Sequence, residues 1–149
     1  MNSTARIALT ALISICCIGC STRLQTYPVV GKVQFKTGGA VHVGTVELKS
    51  VEHGVQARGE IGPDGDFTLT TFDDGDGAVA GKHKCVIVQF VMTEDVASHR
   101  PSMIGVIDRK YASYTTSDLM VTIDPDLETN EILLEVDGYR KSQPENHKH

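Results

Sequence analysis

Several residue types are scarce in this chain of 149 residues, and each scarcity excludes a class of function. Tryptophan is absent and aromatic residues make up 5% of the sequence, so stacking platforms for nucleic-acid bases or sugars are not expected. Acidic residues outnumber basic ones 19 to 14 and the formal net charge is -5, which argues against nucleic-acid binding through a basic face. No helical period of apolar residues persists between Leu24 and Val136, so we expect no helical bundle.

The N-terminus has the features of an export signal. Arg6 precedes an apolar run from Ile7 to Gly19, which is too short to span a bilayer of about 30 Å. A charged start, a short apolar stretch and small residues near its end are typical of secretory signals. The run closes with Cys17-Ile18-Gly19-Cys20-Ser21, which resembles the lipobox of bacterial lipoproteins.

This resemblance implies that residues 1–19 are a lipoprotein signal peptide and that Cys20 is acylated, for example with palmitate. The acyl chains would anchor the protein in a lipid bilayer, with about 0.8 kcal/mol from each buried CH₂ group. Ser21, rather than Asp, follows the cysteine, which by resemblance to lipoprotein sorting implies the outer membrane. Cys17 departs from the usual Leu three positions before Cys20, and an ordinary secretory signal is the alternative interpretation.

The remaining cysteines predict a domain without internal disulfides. Cys16 and Cys17 would leave with the signal and Cys20 would carry lipid, so Cys85 would stand alone. The domain must therefore be stabilised by core burial. Because Cys85 lies in a run of β-branched residues, we expect a buried and unreactive thiol.

Residues 27–137 alternate between apolar and polar side chains, after a linker at 20–26 and before a mobile tail at 138–149. The pattern predicts about seven short strands that form an all-β sandwich or a partly open barrel. Parallel β/α folds are excluded because no crossover helix is predicted. The predicted strands are Val29–Phe35, one beginning at Val46 and Leu48, Val55–Ile61, Phe67–Thr71, Lys84–Val91, Leu119–Ile123 and Ile132–Val136, with a short edge strand at Ile104–Ile107.

Turn residues separate these strands. Gly62-Pro63-Asp64-Gly65 predicts a hairpin, because Pro fixes φ and Gly accepts a positive φ. Gly44 shifts the apolar phase and predicts a bulge or loop. Residues 73–81 are expected to form a polar loop, and the connection from Met92 to Asp118 is unusually long. The residues predicted to be buried are Phe67, Leu69, Val86, Val88, Val121 and Leu134.

Tyr27–Phe35, Gly44–Leu48 and Ala57–Leu69 together resemble the strands of carboxypeptidase-regulatory-like, or transthyretin-like, domains. The resemblance is closest to short bacterial lipoproteins that contain one such domain. Those proteins share a Gly-Ala-x-x-Gly-x-His/Tyr-x-Val element, matched at Gly77–Cys85, and a Lys-Tyr-x-x-x-x-x-Ser-x-Leu element, matched at Lys110–Leu119. The resemblance implies an Ig-like or transthyretin-like β-sandwich, but fold similarity alone implies no activity.

We expect a membrane-tethered, non-catalytic binding or structural domain of the bacterial cell envelope, with an envelope protein as partner. No nucleophile, base and acid occur at a recognisable spacing, so neither enzymatic activity nor a cofactor is expected. Tyr111 and Ser117 are expected to hold the long connection in position. The alternative is a small transthyretin-like hydrolase acting on a small molecule, for which Arg58, His83 and Ser117 are the available side chains.

The densest acidic cluster is Asp73-Asp74-Gly75-Asp76. Oxygen ligands from Asp73, Asp74 and Asp76 could surround a Ca²⁺ ion, which would make the protein a calcium-stabilised envelope adhesion module. The loop lacks the EF-hand spacing and its closing Glu, and Asp and Gly are also ordinary turn formers. The histidines of the domain are scattered over different predicted elements, so no metal site is expected.

Overall fold

The computed structural model describes residues 23–90 and 105–139, which form an all-β sandwich. The predicted signal at 1–19, Cys20 and the tail beyond residue 139 lie outside the described residues. A short 3₁₀ helix runs over Arg109–Ala112. No helix in the described part of the chain has the length and apolar character needed to cross a membrane. The strands in these residues are β1 Thr26–Tyr27, β2 Val29–Phe35, β3 Thr45–Ser50, β4 Gln56–Glu60, β5 Asp66–Thr68, β6 Ala78–Val79, β7 Gly81–Val88, β8 Met120–Ile123 and β9 Asn130–Val136.

Two larger sheets face each other across the core. One has the strand order β5-β2-β9 and the other the order β4-β3-β7-β8, while β1 and β6 pair separately. All ladders are antiparallel except β2–β9, which is parallel from Val29–Asn130 to Phe35–Val136. The all-β sandwich class is confirmed. The strand number rises from about seven to nine because β1 and β6 are two-residue strands that alternation cannot reveal.

Alternating side chains from both larger sheets meet between them and form the core. Val33, Leu48, Ile87, Ile123 and Val136 are buried members from five different strands. Burial drives this arrangement, because each such side chain contributes about 1.5–3 kcal/mol when it leaves water. Five of the residues predicted to be buried are buried, namely Phe67, Leu69, Val86, Val121 and Leu134.

Val88 departs from the prediction and is only half-buried. In β7, His83, Cys85 and Ile87 turn toward the core, so Val86 and Val88 lie on the outer face of the sheet. Val86 pairs with Glu47, whose carboxylate accepts a hydrogen bond from the Tyr114 hydroxyl at 2.6 Å. The segment that carries Tyr114 therefore lies over that part of the sheet, whereas Val88 occupies the last position of the strand.

The predicted hairpin at Gly62–Gly65 is half correct. The turn forms, since the amide of Gly65 donates to the carbonyl of Gly62 at 2.9 Å and Gly65 has a φ of 85°. However, β4 pairs with β3 and β5 pairs with β2. The isolated bridge from Arg58 in β4 reaches Thr70, which lies beyond the end of β5. The turn therefore connects the two sheets instead of joining two strands of one ladder.

Gly59 permits this change of sheet. A Cβ at that position would lie 2.3 Å from the carbonyl oxygen of Thr68, so β4 and β5 cross at a distance that only glycine allows. The strands can then diverge, each toward its own sheet.

Both ends of the predicted domain extend further than expected. Thr26, in the predicted linker, pairs with Val79, in the predicted polar loop. Gly138 and Tyr139, in the predicted tail, pair with the segment around Ile107. Of the predicted edge strand at Ile104–Ile107, the described part forms only this bridge. Gly44 has a φ of 141° and precedes β3, as the predicted break requires.

We predict that Gly59→Ala destabilises the fold by about 1–3 kcal/mol, because its Cβ would collide with the backbone of β5. Gly62→Ala is the matched control in the same connection, since its Cβ would meet only the carbonyl oxygen of Asp66, at 3.5 Å. That contact is ordinary, and we expect a change below about 1 kcal/mol. Urea unfolding followed by circular dichroism measures both variants. Equal effects of the two substitutions would contradict a close crossing at Gly59.

Candidate functional site

A shallow groove lies on the outer face of the β5-β2-β9 sheet, with a volume of about 870 Å³. Val30 from β2 and Leu133 from β9 line it, and they are 38% and 58% exposed. Both occupy outward positions of alternating strands, where polar residues normally face water. An apolar floor in an open groove is typical of a surface that contacts another molecule.

The charges around this groove are unbalanced. Lys32 is the one basic side chain of its lining, and its Nζ lies 3.6 Å from a carboxylate oxygen of Asp66. Glu60 and Glu131 also line the groove and make no ion pair with any residue that the structure describes. The groove therefore combines an apolar floor with two carboxylates that remain available to a basic ligand.

A second, more polar cavity of about 480 Å³ adjoins the groove where β4 and β5 diverge. The two share Glu60 and Thr68. Thr70, Arg58 and Asp74 contribute to the lining of the second cavity. The surface available to an extended ligand thus continues around the corner of the sandwich created by the crossing at Gly59.

Arg58 at this corner is held by an ion pair. Its Nε donates to Glu47 Oε2 at 2.5 Å, while Glu47 Oε1 accepts from Gln56 Nε2 at 2.9 Å and from the Tyr114 hydroxyl. Burial raises the pKa of Tyr114, and the hydrogen bond to Glu47 raises it further. Both carboxylate oxygens of Glu47 therefore accept hydrogen bonds, and Glu47 positions Arg58 and Tyr114.

The three side chains considered for a hydrolase do not converge. Arg58 lies on the outer face of the four-stranded sheet, whereas His83 lies on its inner face and is 1% exposed. Burial lowers the pKa of His83, although its Nδ1 donates to the carbonyl oxygen of Gly81 at 3.0 Å. The Ser117 hydroxyl donates to the carbonyl oxygen of Cys85 at 2.6 Å. The sheet itself separates Arg58 from His83, which sequence spacing could not reveal.

Cys85 is fully buried and carries a free thiol, as expected from its sequence context. Burial raises the pKa of the Cys85 thiol to about 12. A thiol of this kind is neutral at physiological pH and is a poor nucleophile.

Two of the three carboxylates of the acidic loop, those of Asp73 and Asp76, bind other groups of the protein. Asp76 accepts hydrogen bonds from the backbone amides of Thr71, Phe72 and Asp73. Burial raises the pKa of Asp76, but these amides outweigh it and lower the pKa overall. Asp73 forms an ion pair with Arg23 at 2.5 Å. Within residues 23–90 and 105–139, no group of three or more His, Cys, Asp or Glu side chains is arranged to hold a metal ion.

Tyr111 and Ser117 hold the end of the long connection, as predicted. The fully buried Tyr111 donates its hydroxyl to Asp137 Oδ2 at 2.9 Å and accepts from the Asp137 amide at 3.1 Å. Lys36 donates to the same carboxylate at 3.0 Å, and Lys110 lies 3.3 Å from it. The hydrogen bonds from Lys36 and Tyr111 hold the pKa of Asp137 far below its usual range.

Sequence reasoning did not identify the groove. The alternation of apolar and polar residues contains an indication of the groove, because it places the apolar residues Val30 and Leu133 at outward positions of two strands. What the sequence could not show is that β2 and β9 are neighbours, which brings these two positions to one face.

Comparison with known proteins finds no match: no family model, no curated protein and no solved structure is similar to this chain. The functional interpretation therefore depends on the residues and their geometry.

We predict that Asp137→Asn flattens the acid dependence of stability. Because the folded state favours ionised Asp137, this carboxylate stabilises the fold above the unfolded-chain pKa of about 3.9. Its contribution is lost as the pH falls through the lower folded pKa, so the wild-type protein should lose stability below about pH 4. Asp126→Asn, the same charge change at an exposed turn residue, should retain that loss. Urea midpoints between pH 7 and about pH 2 measure the effect, and parallel curves for the two variants would contradict it.

Proposed function

We propose that this protein is a lipid-anchored, non-catalytic binding domain of the bacterial cell envelope, held at the outer membrane. The observation that carries the binding role is the open groove, with its apolar floor and available carboxylates. In this proposal the domain is of the carboxypeptidase-regulatory-like type that its strand motifs resemble.

Two features support the anchor. The segment Cys17–Ser21 resembles a lipobox, and Cys20 follows a short apolar run with a charged start. The folded domain begins close behind it, because Arg23 already contacts the acidic loop and Thr26 already belongs to β1. Such a short connection suits a domain that works at the membrane surface.

The ligand of the groove is an extended segment of an envelope protein with basic and apolar side chains. Val30 and Leu133 would contact its apolar residues, and Glu60 and Glu131 its basic ones. The openness of the groove suits a peptide segment better than a small substrate, which is normally enclosed over most of its surface. The scarcity of aromatic residues argues against a polysaccharide ligand.

The anchor is tested by the intact mass of protein purified from its native membrane. We expect a mass that corresponds to a triacylated chain beginning at Cys20, and loss of both the lipid and membrane fractionation in Cys20→Ala. Cys16→Ala is the matched control, because it removes a cysteine of the signal and leaves the acceptor. An unmodified mass in the wild-type protein would overturn the anchor.

The groove is tested with a synthetic peptide of alternating leucine and lysine, followed by NMR shifts of the protein amides. We expect shifts around Val30, Lys32 and Leu133, and no binding of a leucine–glutamate peptide. Glu131→Lys should weaken binding by about three- to tenfold, because an exposed ion pair contributes about 0.2–1 kcal/mol and reversal adds repulsion.

Two controls distinguish the groove from general charge and hydrophobicity. Glu135→Lys makes the same charge change on the same face of β9, outside the groove lining, and should bind the peptide as the wild-type protein does. Leu133→Ser should weaken binding, whereas Met120→Ser, at a side chain of similar exposure on the other sheet, should not. Equal losses in the groove and control variants would contradict binding in the groove.

A further inference from the structure

Three connections of the sandwich lie at the same end as the first described residues. Residue 51, after β3, donates its amide to the carbonyl of Lys82 at the start of β7. The end of β8 pairs with the start of β7. The turn 124–129 connects β8 to Asn130, whose amide donates a hydrogen bond to the carbonyl oxygen of Pro28. The loop 71–77 leads into β6, which pairs with β1. We call this the anchor-proximal end, comprising residues 23–28, 51–55, 71–77 and 124–129.

Each of the three connections presents one large apolar side chain to solvent. Val51 is 59% exposed, Phe72 is 43% exposed and Leu127 is 51% exposed. We call these residues the apolar tips. Turn residues are ordinarily polar, so three apolar side chains at one end of a small sandwich form a pattern that a water-facing surface does not require.

Hydrogen bonds hold the backbone of each tip. The Asp76 carboxylate accepts from the amides of Phe72 and its two neighbours. The Asn130 side chain accepts from the amide of Asp124 at 2.8 Å and donates to its carbonyl at 3.1 Å, which closes the turn that carries Leu127. In the Val51 turn, the Ser50 hydroxyl accepts a hydrogen bond from the amide of His53, and the Ser50 carbonyl oxygen accepts one from the amide of Gly54. The tips are therefore fixed in place, as insertion without further ordering would require.

The position of the proposed anchor identifies what the tips contact. Arg23 is the third residue after Cys20, and three extended residues span about 10 Å at most. The polar interface on each side of the hydrocarbon core is about 5–8 Å thick. An acylated Cys20 would thus hold the anchor-proximal end against the lipid headgroups. We infer that Val51, Phe72 and Leu127 insert into this interface and fix the orientation of the sandwich on the membrane, an inference that rests on the proposed anchor.

The charges of this end specify the lipid headgroup. Its exposed acidic residues outnumber its basic residues, which are Arg23 and the neighbouring Lys82. The acidic residues are Glu52, Asp73, Asp74, Asp124, Asp126 and Glu128. Carboxylates repel an anionic surface and attract the ammonium group of phosphatidylethanolamine. The tips should therefore insert into a zwitterionic surface and withdraw as anionic lipid is added.

The absence of tryptophan makes a direct test available. Phe72→Trp introduces a single reporter at a tip, and Phe90→Trp introduces the matched reporter at the opposite end, where β7 finishes and Phe90 is 86% exposed. Both are made in the full chain, purified with its lipid and reconstituted into phosphatidylethanolamine–phosphatidylcholine vesicles that contain brominated acyl chains. We expect blue-shifted emission and strong bromine quenching for Phe72→Trp, and neither for Phe90→Trp. Leu127→Trp is a second tip reporter and should behave as Phe72→Trp does.

The outcomes separate this inference from the proposed function. The mass of each reconstituted protein is measured first, and a chain without acyl groups overturns the anchor and the insertion together. In an acylated protein, equal quenching at both ends, or at neither, overturns the insertion alone. Blue-shifted emission of Phe72→Trp without bromine quenching would mean that protein, not lipid, covers the tips, and this also overturns it. Loss of quenching on addition of anionic lipid supports the headgroup preference, and increased quenching contradicts it.

Discussion

The parallel pairing of β2 with β9 is the constraint on which the rest of the structure depends. It joins the first long strand to the last, from Val29–Asn130 to Phe35–Val136, and so closes the three-stranded sheet across almost the whole described chain. At one end it brings Pro28 beside Asn130, where the anchor-proximal turns are held. At the other it brings Lys36 beside Asp137. Between these two ends, the pairing places the groove residues of β2 and β9 side by side. Such a long-range pairing carries a large loop-closure entropy, which only the burial of both sheets can offset.

Polar side chains in this domain mainly hold turns and loops in position through hydrogen bonds. Every buried side-chain nitrogen or oxygen in residues 23–90 and 105–139 has a hydrogen-bond partner, as a core of this kind requires. Asp76 and Asn130 hold the anchor-proximal turns by hydrogen bonds, and Asp137 holds the opposite end through its hydrogen bond with Tyr111. Gln89 serves the same purpose where β7 ends, since its side chain donates to the carbonyl of residue 43 and accepts the amide of residue 107. Cys85 is the one free thiol of the described residues, so hydrogen bonds of this kind fix the loops in place of disulfides.

Alternation along the sequence predicts most of this fold because burial on one face of a strand is a local pattern. It predicted the inward positions of β2 and β9 and the burial of Leu69 and Leu134. It failed where neighbours in space decide the outcome. The crossing at Gly59 depends on Thr68, and the roles of the acidic loop depend on amides and on Arg23, which a count of carboxylates does not show. The candidate site was missed for the same reason, since two outward apolar residues form a groove only once their strands are adjacent.

The two proposed surfaces are consistent with one orientation on the membrane. If the anchor-proximal end faces the bilayer, the strands of both larger sheets run away from it, and the groove opens sideways. Val30, the second residue of β2, lies near the anchor-proximal end, whereas Glu60 pairs with Thr45 at the start of β3 and lies toward the opposite end. A partner segment bound along the groove would therefore extend from the anchor-proximal end toward the opposite end of the sandwich. Its basic side chains would contact Glu131 beside Val30 and then Glu60 farther from the membrane.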